Sequence, residues 1–300
     1  MGHDHDHGPP SHTRAFAVGV ALNLAFVAVE ASYGLRAHSL ALVADAGHNL
    51  SDVVGLLLAW GAATLGARRP SPRRTYGLRR TSILAALANA ILLLIAVGAI
   101  AWEAVLRLRT PEPVASGVVI VVALIGIGIN TATALLFLRG RKKDMNIRGA
   151  FLHMAADAAV SAGVVVAALL MRRTGWLWLD PAVSLAIAAV ITTGTWGLLK
   201  DSVNLALDAV PEGIHPAEVE AYLTGLPGVQ AVHDLHIWGM STTHVALTAH
   251  LVKPAMDNED TLLADACREL HDRFGIEHAT LQIERNETAA NCAQAPAEVV

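Results

Sequence analysis

Six stretches of this 300-residue chain are apolar over lengths that match a lipid bilayer, and they constrain its fold more than any single motif. They run Ala15 to Leu35, Ser39 to Leu65, Thr81 to Leu106, Val114 to Leu138, Ile147 to Met171 and Leu177 to Leu199. A helix needs roughly 20 apolar residues to cross the hydrocarbon. Backbone groups find no water there, so each stretch reads as a continuous helix. Gly126, Gly128 and Gly163 lie within these stretches, where small residues let helix backbones approach closely. Only 16% of the chain is charged, against about a quarter in soluble domains, and the deficit falls before residue 200. Beyond Lys200 to Asp208 the composition becomes an ordinary soluble mixture, which places the domain boundary there. The start, Met1-Gly2-His3-Asp4-His5-Asp6-His7, lacks the basic segment of a secretory signal, and the first apolar stretch is too long for a signal core. It is read as a retained helix.

The loops give a direction. Arg68, Arg69, Arg73, Arg74, Arg79 and Arg80 lie between the second and third stretches; Arg139, Arg141, Lys142, Lys143 and Arg148 lie between the fourth and fifth. The alternate loops are poorer in basic residues. Positive loops stay cytoplasmic, so both termini and the soluble region are expected on the cytoplasmic side. That region reads as helix (Pro216 to Thr224), strand (Val229 to Trp238), strand (His244 to Val252), helix (Thr261 to Phe274) and strand (Thr280 to Glu284). The order implies a small α+β domain with helices on one face of a sheet. The expected fold class is therefore an α-helical membrane protein with six transmembrane helices plus a C-terminal cytoplasmic α+β domain. Its parts are a His-rich N-terminal segment (1–13), the membrane domain (14–200), the cytoplasmic domain (201–286) and a disordered tail (287–300).

Polar residues inside the stretches carry the chemistry. The second contains Asp45, His48, Asn49 and Asp52, and the fifth contains His153 and Asp157. A charged side chain at a helix centre costs on the order of 3 kcal/mol even on lenient insertion scales, so such groups need partners. His48 and Asp52 are four apart, as are His153 and Asp157, and residues at that spacing share one helix face. Two such faces brought together offer two nitrogens and two oxygens. A tetrahedral set of that kind suits Zn²⁺. Mg²⁺ and Ca²⁺ favour more oxygens, whereas Cu²⁺ and Ni²⁺ prefer flatter geometry without being excluded by ligand type. A hydrogen-bonded His–Asp pair that merely joins helices is the alternative, but two identical pairs in separate spans weigh against it. Asp45, two turns before Asp52, is read with Asn49 as a neighbour of the site or its vestibule. Glu30, Asn23, Asn89 and Asn130 are read as interhelical hydrogen-bonding groups.

Elsewhere the signals are weaker. His3, His5 and His7, with His12 beyond, can hold metal loosely or form a plain polar terminus. Cys267 and Cys292 make no CxxC pair and no disulfide framework; Cys267 is read as a small buried residue and Cys292 as part of the polar tail. Slightly negative net charge and basic residues confined to loops argue against nucleic acid as a partner.

Ser39-Leu40-Ala41-Leu42-Val43-Ala44-Asp45-Ala46-Gly47-His48-Asn49-Leu50-Ser51-Asp52 resembles the second helix of the cation diffusion facilitator family. Asn146 to His153, running on to Asp157, is similar to its fifth helix, and Asp180-Pro181 with Ser184-Leu185 to the start of its sixth. Val232-His233-Asp234-Leu235-His236-Ile237-Trp238 and Thr280 to Glu284 are similar to its cytoplasmic domain. The zinc-exporting branch, with His in both helix pairs, fits best. The resemblance implies a homodimer in the inner membrane, a ferredoxin-like cytoplasmic domain, and zinc efflux driven by protons. It also implies transport ligands at His48, Asp52, His153 and Asp157, and cytoplasmic metal ligands at His233, His250 and Glu284. Asp260 and Glu277 stand where relatives can carry His. Ser82 stands where many carry Glu, so any role of that acid is absent. His236 and His271 are read as ordinary surface or strand histidines. Other cargoes (Cd²⁺, Co²⁺ or Fe²⁺) and a membrane-anchored metal sensor remain alternatives. A metallohydrolase would need a His-Glu-x-x-His helix, which is absent.

Overall fold

The computed structural model describes residues 13–137, 145–255, 258–285 and 292, with side chains from residue 24 onward except those of Leu56, Ala59, 136–150 and His153. Six long helices come first: α1 (Thr13–Arg36), α2 (Leu40–Gly66), α3 (Thr81–Arg109), α4 (Ser116–Phe137), α5 (Met145–Thr174) and α6 (Leu179–Ala206). Among the described residues α2 to α6 each contain a window long and apolar enough to cross a membrane. Their outward residues, such as Leu84, Ile91, Leu92, Ile95 and Trp102 of α3, are exposed. So much apolar surface on a soluble protein would be an association hazard; on membrane spans it is the lipid-facing side. Helix α6 continues past the expected end at Leu199, because a helix satisfies its own backbone whether or not its side chains are apolar. It stops where Asp208 turns left-handed, with φ of 59°.

The chain divides into two compact units, Met1–Leu57 with Asn89–Gly197, and Leu58–Ala88 with Leu198–Val300. In the first, Leu42, Val119, Ala123, Val164, Ala168 and Ile187 form the centre of a continuous apolar core. Gly126 lets α4 meet α1: a Cβ there would lie only 2.9 Å from Phe26 Cζ.

The start of α2 is held by another helix. Ser39 precedes its first turn, and the Ser39 hydroxyl both donates to the Asp180 carboxylate of α6 and accepts from the Leu42 N–H. Asp180 also accepts from the N–H groups of Leu40 (2.7 Å) and Ala41 (3.4 Å). The first N–H groups of a helix have no partner within it, and a carboxylate there also opposes the helix dipole favourably. The cluster is buried, so no water replaces these bonds. Beside it, Arg107 of α3 donates to the His38 carbonyl (2.7 Å), and the Ala115 N–H donates to the Ala37 carbonyl.

The second unit contains α7 (Pro216–Thr224), β1 (Ala231–Gly239), β2 (Val245–Val252), α8 (Glu259–Phe274) and β3 (His278–Glu284), in the expected order. The sheet order is β1-β2-β3, with β1 antiparallel and β3 parallel to β2. The parallel pairing requires a crossover, which α8 supplies. Leu223, Ile237, Leu247, Leu251 and Leu270 fill the core between sheet and helices. Cys267 is exposed rather than buried. The inward row of α8 is Leu262, Ala266 and Leu270, and Cys267 sits one residue, about 100°, off that row. This unit also includes the loop between α2 and α3. Arg80 pairs with Asp208, the Ser82 hydroxyl accepts from the Thr242 N–H (3.1 Å), and the rings of Tyr76 and His278 meet edge to face.

Asp180→Ala removes a charged acceptor from three donors. Hydrogen bonds to charged groups contribute about 1.5–3 kcal/mol each, so the variant should lose at least about 2 kcal/mol and melt well below the wild type in detergent. Asp180→Asn, which keeps one oxygen acceptor, should fall between them. Equal melting of all three proteins would contradict this account of the α2 anchor.

Candidate metal centres

Helices α2 and α5 run antiparallel where their polar residues meet. Asp45, fully buried, accepts from the Ser161 hydroxyl at 2.8 Å. One turn along, His48 Nε2 lies 3.3 Å from Asp157 Oδ1. Ligand atoms of His48, Asp52 and Asp157 all lie within 4.8 Å of one another. The Asp157 side chain is buried, at 3% exposure, whereas His48 keeps 22%, so the group has an opening on one side. Three of the four residues expected from the His-x-x-x-Asp repeats are thus brought together. The fourth, His153, lies one turn before Asp157 on α5, and its side chain is outside the described residues.

The surroundings are polar and ordered. Asn49, on the same helix, donates from Nδ2 to Glu30 Oε2 of α1 at 3.2 Å, and both residues are buried. Glu30 lies beside Asp45. Asp45 and Asn49 therefore join α2 to α5 and α1 respectively, matching the expectation of neighbours rather than members of the group of three. Asn130 is also buried.

The second group lies on the small sheet. His233 of β1 and His250 of β2 are direct cross-strand partners, with ring centroids 4.9 Å apart. Glu284, the last residue of β3, reaches both: its Oε2 lies 3.1 Å from His233 Nε2 and its Oε1 lies 3.1 Å from His250 Nδ1. The Cys292 thiol comes to 3.8 Å from the same His250 Nδ1. Ligands about 2.0–2.3 Å from a tetrahedral zinc are held roughly 3.3–3.7 Å apart, so these separations are close to what one ion would need. His250 and Glu284 are more than nine-tenths buried.

A bulge shapes this group. Four residues of β1, from His233 to His236, face three of β2, from His250 to Thr248. Asp234, with φ of 52°, takes up the extra length. A bulge of this kind re-aims a side chain. Asp234 Oδ2 lies 3.6 Å from His250 Nε2, and Oδ1 lies 2.9 Å from His236 Nε2. A carboxylate near one imidazole nitrogen attracts the ring proton there and leaves the other nitrogen free for a cation. Gln282 donates to Glu284 Oε1 at 2.8 Å. Sequence reasoning gave Asp234 no role, and the signal was its place between His233 and His236. Cys292 was passed over because it stands eight residues beyond the last strand.

Other expected ligands lie elsewhere. The Glu277 carboxylate accepts from the Val245 N–H, and Asp260 is exposed in the first turn of α8. Neither belongs to a metal-sized group among the described residues. His271 is exposed and pairs with Asp272. His3, His5 and His7 lie outside the described residues, as does the tail 287–300 apart from Cys292.

Comparisons with known proteins bear on the family to which the chain belongs. Residues 16–205 match the model of the cation efflux transmembrane domain, and residues 211–286 match that of the cation efflux protein cytoplasmic domain. The metal cation efflux system protein CzcD of Cupriavidus metallidurans is 38% identical over 297 residues, covering 99% of this chain and 92% of that protein. The zinc transporter ZitB of Escherichia coli is 36% identical over 95% of this chain and 93% of its own length. The cadmium, cobalt and zinc/H(+)-K(+) antiporter of Bacillus subtilis is 32% identical, over 95% and 92%. A solved structure, the metal-bound C-terminal domain of the CzcD transporter from C. metallidurans, is 38% identical and covers 24% of this chain and 99% of that one, with a TM-score of 0.23. With both halves of its length matched, this chain belongs to the cation efflux, or cation diffusion facilitator, family of membrane transporters.

Proposed function

We propose that the protein exports Zn²⁺ from the cytoplasm in exchange for protons, through an intramembrane site made by His48, Asp52, His153 and Asp157. The observation that carries this reading is the convergence of His48, Asp52 and Asp157 within 4.8 Å on facing helices. The helix register supports the fourth ligand. Asp45 meets Ser161 and His48 meets Asp157, so the next turn of α2, at Asp52, stands across from position 153 of α5. Two nitrogens and two oxygens then surround the cation, a set that fits zinc and leaves no open position for hydrolytic chemistry. The names of the relatives, a zinc transporter among them, favour the same cargo. Cadmium and cobalt appear beside zinc in another relative's name and remain the competing cargoes.

Protons enter through the ligands themselves. Zinc binds neutral imidazole and ionised carboxylate, so metal and protons compete for one set of atoms. A site facing the cytoplasm releases protons as it takes metal; facing a more acidic exterior, it releases metal as it takes protons. Alternate exposure couples the two flows. His153, Asp157 and His48 are the groups assigned to this exchange. The basic loops place both termini on the cytoplasmic side of the inner membrane. Residues 14–200 serve as the transport domain and 201–286 as the cytoplasmic domain through which two chains pair. His233, His250 and Glu284 bind cytoplasmic metal, tighten that pairing and make transport respond to zinc supply. The His-rich segment 1–13 holds metal loosely near the entrance.

Two outcomes follow in proteoliposomes. Acidifying the side opposite the cytoplasmic domain should speed zinc export, and Asp157→Ala should reduce it by at least the 10- to 100-fold that even outer partners of a metal command. Unaltered melting of the variant would show that the fold survives; normal zinc flux through it would sink the assignment. His48→Asp changes the donor set to one nitrogen and three oxygens. In flux competition it should shift preference away from zinc towards oxygen-favouring cations such as Mn²⁺. An unchanged order of preference would remove His48 from the ligand set.

A further inference from the structure

We infer that Cys292 is a metal ligand, and that cation binding at the cytoplasmic domain fastens the C-terminal tail to the sheet through its thiolate. The inference rests on the cytoplasmic metal site proposed above and adds to it a donor of a different kind. Four side chains meet there: His233, His250, Glu284 and Cys292 offer atoms that all lie within 4.8 Å of one another. Three come from separate strands of one sheet, so their positions are set by the strand register and do not depend on the tail. They supply two nitrogens and one carboxylate, which leaves a tetrahedral cation one ligand short. The Cys292 Sγ stands 3.8 Å from His250 Nδ1, on the ring nitrogen that faces Glu284 rather than the one that faces Asp234. It therefore takes the side of His250 on which a cation would sit.

The tail has the length to do this. Eight residues separate Glu284 from Cys292, enough to span about 26–29 Å when extended, so its arrival at His250 requires no strain. Binding would exchange the thiol proton for the metal: the S–H bond breaks, the proton passes to solvent, and both electrons of the sulfur pair go to the metal–sulfur bond. A thiolate changes what the site prefers. Sulfur favours Zn²⁺ and other thiophilic cations over Mg²⁺, Ca²⁺ and Mn²⁺, which take oxygen. The other cysteine, Cys267, is exposed on α8 and has no part in the group, which makes it the natural control.

Cobalt makes the sulfur visible, because a thiolate bound to Co²⁺ adds a near-ultraviolet charge-transfer absorption that nitrogen and oxygen donors do not. The full-length protein in detergent is titrated with Co²⁺. The band is expected in the wild type and in Cys267→Ser, and is expected to vanish in Cys292→Ser while the visible bands of tetrahedral cobalt persist. Cadmium affinity of the cytoplasmic site should fall about 10- to 100-fold in Cys292→Ser, and proteolysis after Arg285 should become faster and insensitive to metal. A wild-type spectrum with visible cobalt bands but no charge transfer overturns the role of Cys292 and leaves the three-ligand site standing. The same band surviving in Cys292→Ser and lost in Cys267→Ser overturns it equally. If His250→Ala binds as much cobalt per chain as the wild type, the cytoplasmic site itself falls, and this inference with it.

Discussion

The hydrogen bond from Ser161 to Asp45 fixes the antiparallel register of α2 and α5, and the meeting of His48 with Asp157 follows that register. A carboxylate in an apolar medium is tolerable only with donors or cations around it. Asp45 is fully buried and meets its need on the facing helix. Once it is paired, His48 falls beside Asp157 one turn on. The same residue spacing that makes each pair share a face makes the pairing repeat. Asn49 adds the third helix by donating to Glu30. Asp45 and Asn49, the neighbours of the group, therefore tie α2 to α5 and to α1.

The same logic governs the start of α2. Asp180 gathers the Ser39 hydroxyl and the N–H groups of Leu40 and Ala41, and so ties α6 to the first turn of the helix that carries His48 and Asp52. Arg107 and the Ala115–Ala37 bond add ties from α3 and from the segment leading into α4. The ties crowd at one end of α2. The far end belongs, with the loop that follows it, to the unit that contains the cytoplasmic domain. Just past that loop, at the start of α3, the Ser82 hydroxyl accepts from the Thr242 N–H.

How much of this was legible in the sequence depends on range. The six apolar stretches declared themselves because lipid imposes a length and forbids charge; the largest miss at a helix end came where polar residues continue the helix, at Asp201 to Ala206 of α6, while α4 and α6 each start two residues later than expected. His48, Asp52 and Asp157 were legible because a spacing of four in a helix is a statement about a face. The succession of strands and helices in the soluble region was legible from alternation, and the bulge at Asp234 was not, since an extra residue in a strand leaves no mark in hydropathy. Cys267 was misplaced for a related reason: a residue next to a buried row looks the same in sequence as one within it. Cys292 was invisible because a tail residue approaches its partners through space, with no period to announce it.

The two centres differ in donor chemistry in a way their tasks explain. Within the membrane-spanning helices, the group of His48, Asp52 and Asp157 offers imidazole and carboxylate donors only. The group on the sheet has a cysteine within reach and an Asp234 carboxylate behind one of its histidines. Both features would strengthen the binding proposed there, one by adding a soft donor and the other by orienting a ring and raising its basicity. On the proposed reading, a site made that way would hold its cation more firmly than one without sulfur. The thiol of Cys292 and the Asp234 carboxylate are thus the two features that set the group on the sheet apart from the group between α2 and α5.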